Sequence, residues 1–147
     1  MEASRLKSFL LVGVQFGCLG LLVFTGPRLP VGLVEQGLVL LSLGLAGWAL
    51  ATMPLRSLTA LPDVRADGVL VTTGPYRYVR HPMYTAVLLL TLGLLLNHPS
   101  PLRLSVWLVL LADLWFKLTY EETLLAQRYP DYPSYQARST RLIPFLL

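Results

Sequence analysis

Four apolar runs, at about residues 9–25, 38–53, 83–97 and 102–120, leave this chain few ways to fold. A helix crosses the hydrocarbon core of a bilayer in about 20 residues, at about 1.5 Å per residue. The first three runs are slightly short of that length, so flanking residues complete them or the helices stand nearly upright. Only 14% of the residues are charged, against about 25% in a typical soluble domain. Mean hydropathy is +0.60. Proline punctuates the runs: Pro27 and Pro54 follow the first two, Pro82 opens the third, and Pro99 and Pro101 part the third from the fourth. The expected fold is therefore all-α and integral to a membrane. It is one domain, residues 1–147, with four transmembrane helices and an interfacial tail over 121–147. The tail's Tyr129, Tyr132, Tyr135 and Phe145, mixed with Arg128, Arg138 and Arg141, suit the bilayer surface.

Charge orients the spans. Arg5, Lys7, Arg56, Arg65, Arg77, Arg80, Arg128, Arg138 and Arg141 fall on one side, nine in all, and Arg28 and Arg103 on the other. Lys117 lies within the fourth run. The bias places both termini and the middle loop in the cytoplasm. It also accounts for the net charge of +4 without a nucleic-acid partner. Cys18, the single cysteine, lies in an apolar run and can form no intrachain disulfide. No small-residue cleavage site follows Phe24, so the first run reads as a retained helix. Gly13 with Gly17, and Gly44 with Gly47, are pairs of the kind that lets helices approach closely. Gln15, polar in an apolar run, is expected to hydrogen-bond a neighbouring helix.

Polar residues gather at one end of the third and fourth runs. Gly74-Pro75-Tyr76-Arg77-Tyr78-Val79-Arg80-His81-Pro82-Met83-Tyr84 leads into the third, and Glu121-Glu122 ends the fourth. Before the first cluster, residues 67–75 read as a turn, a short extended stretch and a second turn. Pro82 suits a first helical turn, which leaves His81 at the N-cap and unpaired backbone N–H groups facing outward. That helix start and Arg80 can receive a carboxylate, or anchor lipid headgroups. Asp113, Lys117, Tyr120 and Glu121 fall on one face of the fourth helix. Charges that deep must face partners or a wet cavity, so the stripe is either an internal ion pair or the wall of a pocket. His81 and His98 fall on opposite sides of the membrane and Cys18 is far from both, which gives no metal-ligand pattern. No phosphate-binding glycine motif occurs.

The run Gly-x-Tyr-x-x-x-Arg-His-Pro-x-Tyr over residues 74–84, with Glu121-Glu122 about 40 residues on, resembles the signature of the isoprenylcysteine carboxyl methyltransferase and phospholipid methyltransferase superfamily. Leu125, Tyr129-Pro130, Tyr132, Tyr135 and Ile143-Pro144 are similar to that family's C-terminal segment. The resemblance covers about residues 68–147. It implies S-adenosylmethionine as methyl donor, in a cytoplasmic pocket formed by the last two helices and the tail. It also implies a lipophilic acceptor drawn from the membrane. Carried over, Val69, Leu70, Val71, Tyr76, His81, Pro82, Met83, Tyr84 and Glu121 line the cofactor site. Lys117 stands where the family enzyme for prenylated cysteine has an arginine implicated in substrate contact. A lysine keeps the charge and loses the planar fork suited to a carboxylate.

The residue chemistry agrees with that donor. Arg80 and the helix start can take its carboxylate, Glu121 its ammonium or a ribose hydroxyl, and Tyr76 and Tyr84 can pack near the adenine or the sulfonium. Catalysis then requires in-line placement of a nucleophile and exclusion of water. Glu122, Lys117 and Arg80 are the expected catalytic residues. For an amine or thiol acceptor, Glu122, His81 and Asp113 all remain open as the base. Two other classes stay in view. A nicotinamide-dependent sterol-type membrane reductase also carries an Arg-His pair, and a non-enzymatic lipid-binding protein would use the clusters as anchors.

Overall fold

A computed structural model describes residues 2–27, 30–54 and 68–143, with side chains from residue 6 onward. Arg28, Arg56, Arg65 and Asp67, the side chain of Arg5, and the tail end with Pro144 and Phe145 lie outside the described residues. The architecture is helical: α1 (Glu2–Phe24), α2 (Leu33–Thr52), α3 (Pro82–Asn97), α4 (Pro101–Arg128) and the short α5 (Tyr132–Gln136). A 3₁₀ turn, Gly74–Arg77, precedes α3. Among the described residues no strand forms. The expected extended stretch at 69–71 has no regular structure, and one isolated parallel bridge pairs Val79 with Thr140.

Among the described residues, two helices are long and apolar enough to cross a membrane. These are Leu6–Phe24, with mean hydropathy 1.9, and Leu33–Thr52, with 1.6. Their large side chains lie mostly on the outside: Phe9, Phe16 and Phe24 of α1, and Leu40, Leu41 and Trp48 of α2, are exposed. Apolar helices with so many large side chains on the outside suit a bilayer. Helix α3 is apolar but shorter.

Two boundaries differ from expectation. Helix α2 starts at Leu33, five residues before the apolar run, with Glu35 in its first turn where the helix dipole favours an acid. Helix α4 continues past residue 120 to Arg128, so Glu121 and Glu122 belong to the helix and not to an interfacial tail. Residues 121–128 are mostly good helix formers, and the first proline is Pro130. Helical propensity outlasts the apolar run, and the last two turns carry the acidic pair out of the span.

Helix α2 packs on α3 and α1 on α4, with α3 also touching α1 and α4. The α2–α3 contact is close: Ser42 Oγ donates to the Ala86 carbonyl at 2.8 Å. A Cβ built on Gly93 would lie 3.2 Å from the Glu35 carbonyl and from a Val39 methyl. The expected glycine pairs do not serve these contacts, because among the described residues nothing lies within 4 Å of a Cβ at Gly13, Gly17, Gly44 or Gly47. The close approach is made by Gly93 and Ala86 of α3 instead. Gln15 behaves as expected and accepts from Lys117 Nζ at 2.6 Å, joining α1 to α4.

The end of the bundle remote from the acidic pair is closed by Arg103, which the sequence marks only as a loop charge. Its guanidinium donates to the Leu22 carbonyl at 2.8 Å, Thr25 Oγ1 at 2.9 Å and the Leu94 carbonyl at 2.6 Å. One side chain thereby satisfies carbonyls in the last turns of α1 and α3, which have no partner within their own helices.

Candidate functional site

The polar end of α3 and α4 is assembled by the segment that enters α3. Gly74 takes φ +58°, a left-handed conformation, and a Cβ there would lie 2.4 Å from Thr52 Oγ1. Glycine alone fits this turn against the end of α2. Next to it, Pro75 and Tyr76 are buried, and the Tyr76 carbonyl accepts from Tyr135 Oη at 2.6 Å. Tyr76 Oη lies 3.9 Å from Met53 Sδ. Pro82 begins α3 and leaves His81 as its N-cap.

The tail is stitched across this helix start. Arg80 N donates to the Thr140 carbonyl at 2.8 Å, His81 N to the Arg141 carbonyl at 3.1 Å, and Thr140 N to the Tyr78 carbonyl at 3.0 Å. Thr85 Oγ1 adds a bond to the Leu142 carbonyl at 2.6 Å. The backbone N–H of His81 is therefore used by the tail.

Glu122 is the hub of the charges. Its Oε1 accepts from Arg80 Nε at 2.7 Å, and its Oε2 lies 3.2 Å from Arg141 Nε. His81 Nε2 is 3.4 Å from Glu122 Oε1, without hydrogen-bond geometry, and His81 Nδ1 is 3.5 Å from Glu121 Oε2. Burial would push the Glu122 carboxyl up, but His81 and Arg80 outweigh it and hold the group at about 2. A carboxylate held so low is a poor proton acceptor. Burial would lower His81, yet contacts with Glu121 and Glu122 win and raise it above its ordinary value. The His81 proton is thus held more tightly than in a free imidazole.

Arg80 is also committed. Besides Glu122, it donates through Nη1 to the carbonyls of Ser139 and, at 3.3 Å, Gln136. It ties the tail to α4.

Glu121 differs from its neighbour. Its side chain is 21% exposed against 5% for Glu122, and it accepts from Tyr84 Oη and touches His81. The rings of His81 and Tyr84 stack, with centroids 5.5 Å apart and planes within 5°. Lys117 Nζ lies 5.4 Å from the Tyr84 ring centroid. A polar thread therefore runs inward: Glu121 and Tyr84 at the surface, then Lys117 with Gln15, then Asp113 one helical turn deeper. Lys117 is 1% exposed and Asp113 5%.

Of the residues expected around a cofactor, the structure brings His81, Pro82, Tyr84 and Glu121 together, with Met83 half-buried beside them. Tyr76 sits behind the helix start, against Met53 and Tyr135. Val69, Leu70 and Val71 run through an irregular stretch tied to the end of α4, where Tyr129 Oη donates to the Gly68 carbonyl at 2.8 Å. Sequence reasoning missed Arg141 as a partner of Glu122. It set Tyr132 at the bilayer surface, whereas the structure buries it, with no hydrogen-bond partner for its hydroxyl among the described residues. An arginine after Thr140 carries no local signal of the glutamate it meets 19 positions back.

Comparison with known proteins agrees with this end of the molecule. The family model described as phospholipid methyltransferase matches residues 31–132. That range holds the 3₁₀ turn, the N-cap of α3 and both glutamates, while Gln15 and Arg141 fall outside it. The cobalt-zinc-cadmium resistance protein CzcN of Cupriavidus metallidurans is 32% identical over 114 residues, covering 74% of this chain and 50% of that protein. The nickel-cobalt-cadmium resistance protein NccN of Alcaligenes xylosoxydans xylosoxydans is 30% identical over 113 residues, covering 73% and 51%. The chain spans about half the length of the curated relatives it matches.

Proposed function

We propose that this chain, which belongs to the phospholipid methyltransferase family, is an S-adenosylmethionine-dependent membrane methyltransferase acting on a lipophilic acceptor. The observation that carries this reading is the cluster of His81, Tyr84 and Glu121 where α3 and α4 meet, inside the residues the family model matches. When bound, S-adenosylmethionine supplies a methyl group already activated by its sulfonium. The residues present fit such a ligand. Glu121 keeps an exposed carboxylate face for an ammonium or a ribose hydroxyl, and Tyr84 offers a ring to a cation. The hydroxyl of Tyr132, without a partner among the described residues, is a donor within the same group of elements. Val69, Leu70, Val71, Tyr76, Pro82 and Met83 supply the apolar surround in this reading. Glu122, Arg80 and Arg141 fix the tail against the helices, so the pocket keeps its shape and excludes water.

The acceptor approaches from the bilayer, since the outer faces of α1 and α2 are apolar. The relatives' names attach them to metal resistance. Methyl transfer is what we carry over from the family, and metal binding is not.

Two results are expected. S-adenosylmethionine should bind the purified protein and NADPH should not. His81→Ala and Glu121→Ala should each weaken that binding by about 10- to 100-fold, the cost of one charge-assisted contact. Calorimetry checks both, and unchanged affinity in the two variants would remove these residues from the site. For topology, we propose four spans with both termini cytoplasmic. Reporter fusions at Leu147 and near His98 should report opposite sides of the membrane, and the same side for both would refute four spans.

A further inference from the structure

We propose that Asp113 is the proton acceptor of the methyl transfer, and that the acceptor is a neutral protic nucleophile, an amine, thiol or phenol on a lipophilic body. The inference rests on the methyltransferase reading above and adds the base and the substrate class. Asp113 lies eight residues before Glu121 on α4, about 12 Å further along the helix. Its carboxylate is buried, and Oδ2 has no hydrogen-bond partner among the described residues. A buried carboxylate oxygen left without a donor is costly, so such an oxygen marks a place for a water, an ion or a ligand that brings one.

The neighbours define what that ligand is. Lys117, one turn away, provides the opposite charge that makes a buried carboxylate tolerable. Its Nζ is already bonded to Gln15. Tyr84, linked to Glu121 through its hydroxyl and facing Lys117 with its ring, joins this inner group to the donor site. Next to Asp113, Leu110 and Leu114 belong to a buried apolar core on which Val87, Leu88 and Trp107 pack. An N–H, S–H or O–H on a greasy molecule matches this combination. A carboxylate acceptor does not, because it would set a second negative charge beside Asp113 in a low-dielectric interior. Of the two glutamates at this end, Glu122 is held by Arg80, Arg141 and His81, and Glu121, bonded to Tyr84 and beside His81, faces the donor in the reading above.

The step balances with these groups alone. The acceptor heteroatom passes its proton to Asp113 Oδ2 as its lone pair forms the bond to the methyl carbon. The electron pair of the methyl's former bond stays on the donor sulfur, and the sulfonium and the aspartate lose their opposite charges together.

Full-length protein in detergent, given labelled S-adenosylmethionine, is offered dodecanethiol, N-methyldodecylamine, 4-dodecylphenol and dodecanoate in separate reactions. At least one protic probe should be methylated faster than dodecanoate. Asp113→Asn should lower that transfer about 100-fold or more, while the calorimetric donor affinity stays within about 3-fold. If Asp113→Asn fails to fold, Asp113→Asn with Lys117→Met removes both buried charges, and the same loss with donor affinity kept is expected. Full transfer in either variant overturns the proposal. So does dodecanoate matching or exceeding the protic probes, or transfer to no protic probe while the donor is bound. Failure of wild-type protein to bind the donor would instead overturn the methyltransferase reading, and the role of Asp113 with it.

Discussion

Glu122→Ala should destabilise the protein by about 3–5 kcal/mol, the usual cost of stripping one partner from a buried ion pair. Glu122 and Arg80 are 5% and 8% exposed, so solvent cannot replace the lost carboxylate. The variant leaves the buried Arg80 guanidinium without its carboxylate. Arg141, 35% exposed, can swing to water and adds little. Denaturant unfolding in detergent measures the loss. The double variant Arg80→Met with Glu122→Leu should recover much of it, because replacing both charges by apolar groups removes the uncompensated one. A loss below about 1 kcal/mol for the single variant would mean that the charges are hydrated and the pair is ordinary surface.

The same cluster sets a pH window. Glu122 is depressed in the folded protein, so its contribution is complete above its ordinary value of 4.5 and is lost only as pH falls through about 2. His81 is raised, so its contribution is complete below its ordinary value of 6.5 and is lost as pH rises through the higher folded value. The end of the bundle that holds the tail should therefore loosen as pH rises above 6.5 and His81 gives up its proton, and on the acid side only as pH falls toward about 2.

Arg103→Met should cost about 2–4 kcal/mol, from two helix-end carbonyls left buried and unpaired. The Leu22 and Leu94 carbonyls lose their donors at once, and Thr25 loses a partner. Arg103→Lys should recover only part, since a single ammonium cannot span three acceptors as a fork does. Exposed Arg77→Met serves as the control and should change stability by less than about 0.5 kcal/mol. Equal unfolding midpoints for Arg103→Met and wild type would show that water already reaches those carbonyls.

Arg80 and Arg103 also mark where the sequence stops being legible. The apolar runs announced the helices, and Pro82 and Pro101 announced where α3 and α4 begin, because both signals are local. The end of α4 was misjudged because the logic of membrane edges stops a helix where its apolar side chains stop. Backbone hydrogen bonding continues as long as helix formers do, here to Arg128. The glycine pairs misled for a related reason: spacing places small residues on one helix face without saying whether another helix faces it. Gln15 was readable, since a lone amide in an apolar run must find a partner.

Within the site, His81, Tyr84 and Glu121 were legible as a motif, and the fold brings them together. Arg80 was legible as a charge at a helix start. Its commitment to Glu122 and to the carbonyls of Ser139 and Gln136 depends on contacts 42 to 59 positions away, which no local pattern encodes. Glu122 looked as good a base as any until two guanidiniums were found on it. Asp113 stood in the sequence as half of an ion pair or one side of a pocket, and its unpartnered oxygen is visible only in three dimensions.

The central claim, methyl transfer to a lipophilic acceptor, is tested most directly by following the methyl group. Purified protein is incubated with S-adenosylmethionine labelled in that group and with a membrane lipid extract, and the organic phase is separated. The account predicts label in a lipid-soluble product, lost on boiling the protein and reduced at least about 10-fold in Glu121→Ala at sub-saturating donor. Label remaining entirely in the aqueous phase with wild-type protein that binds the donor would contradict it.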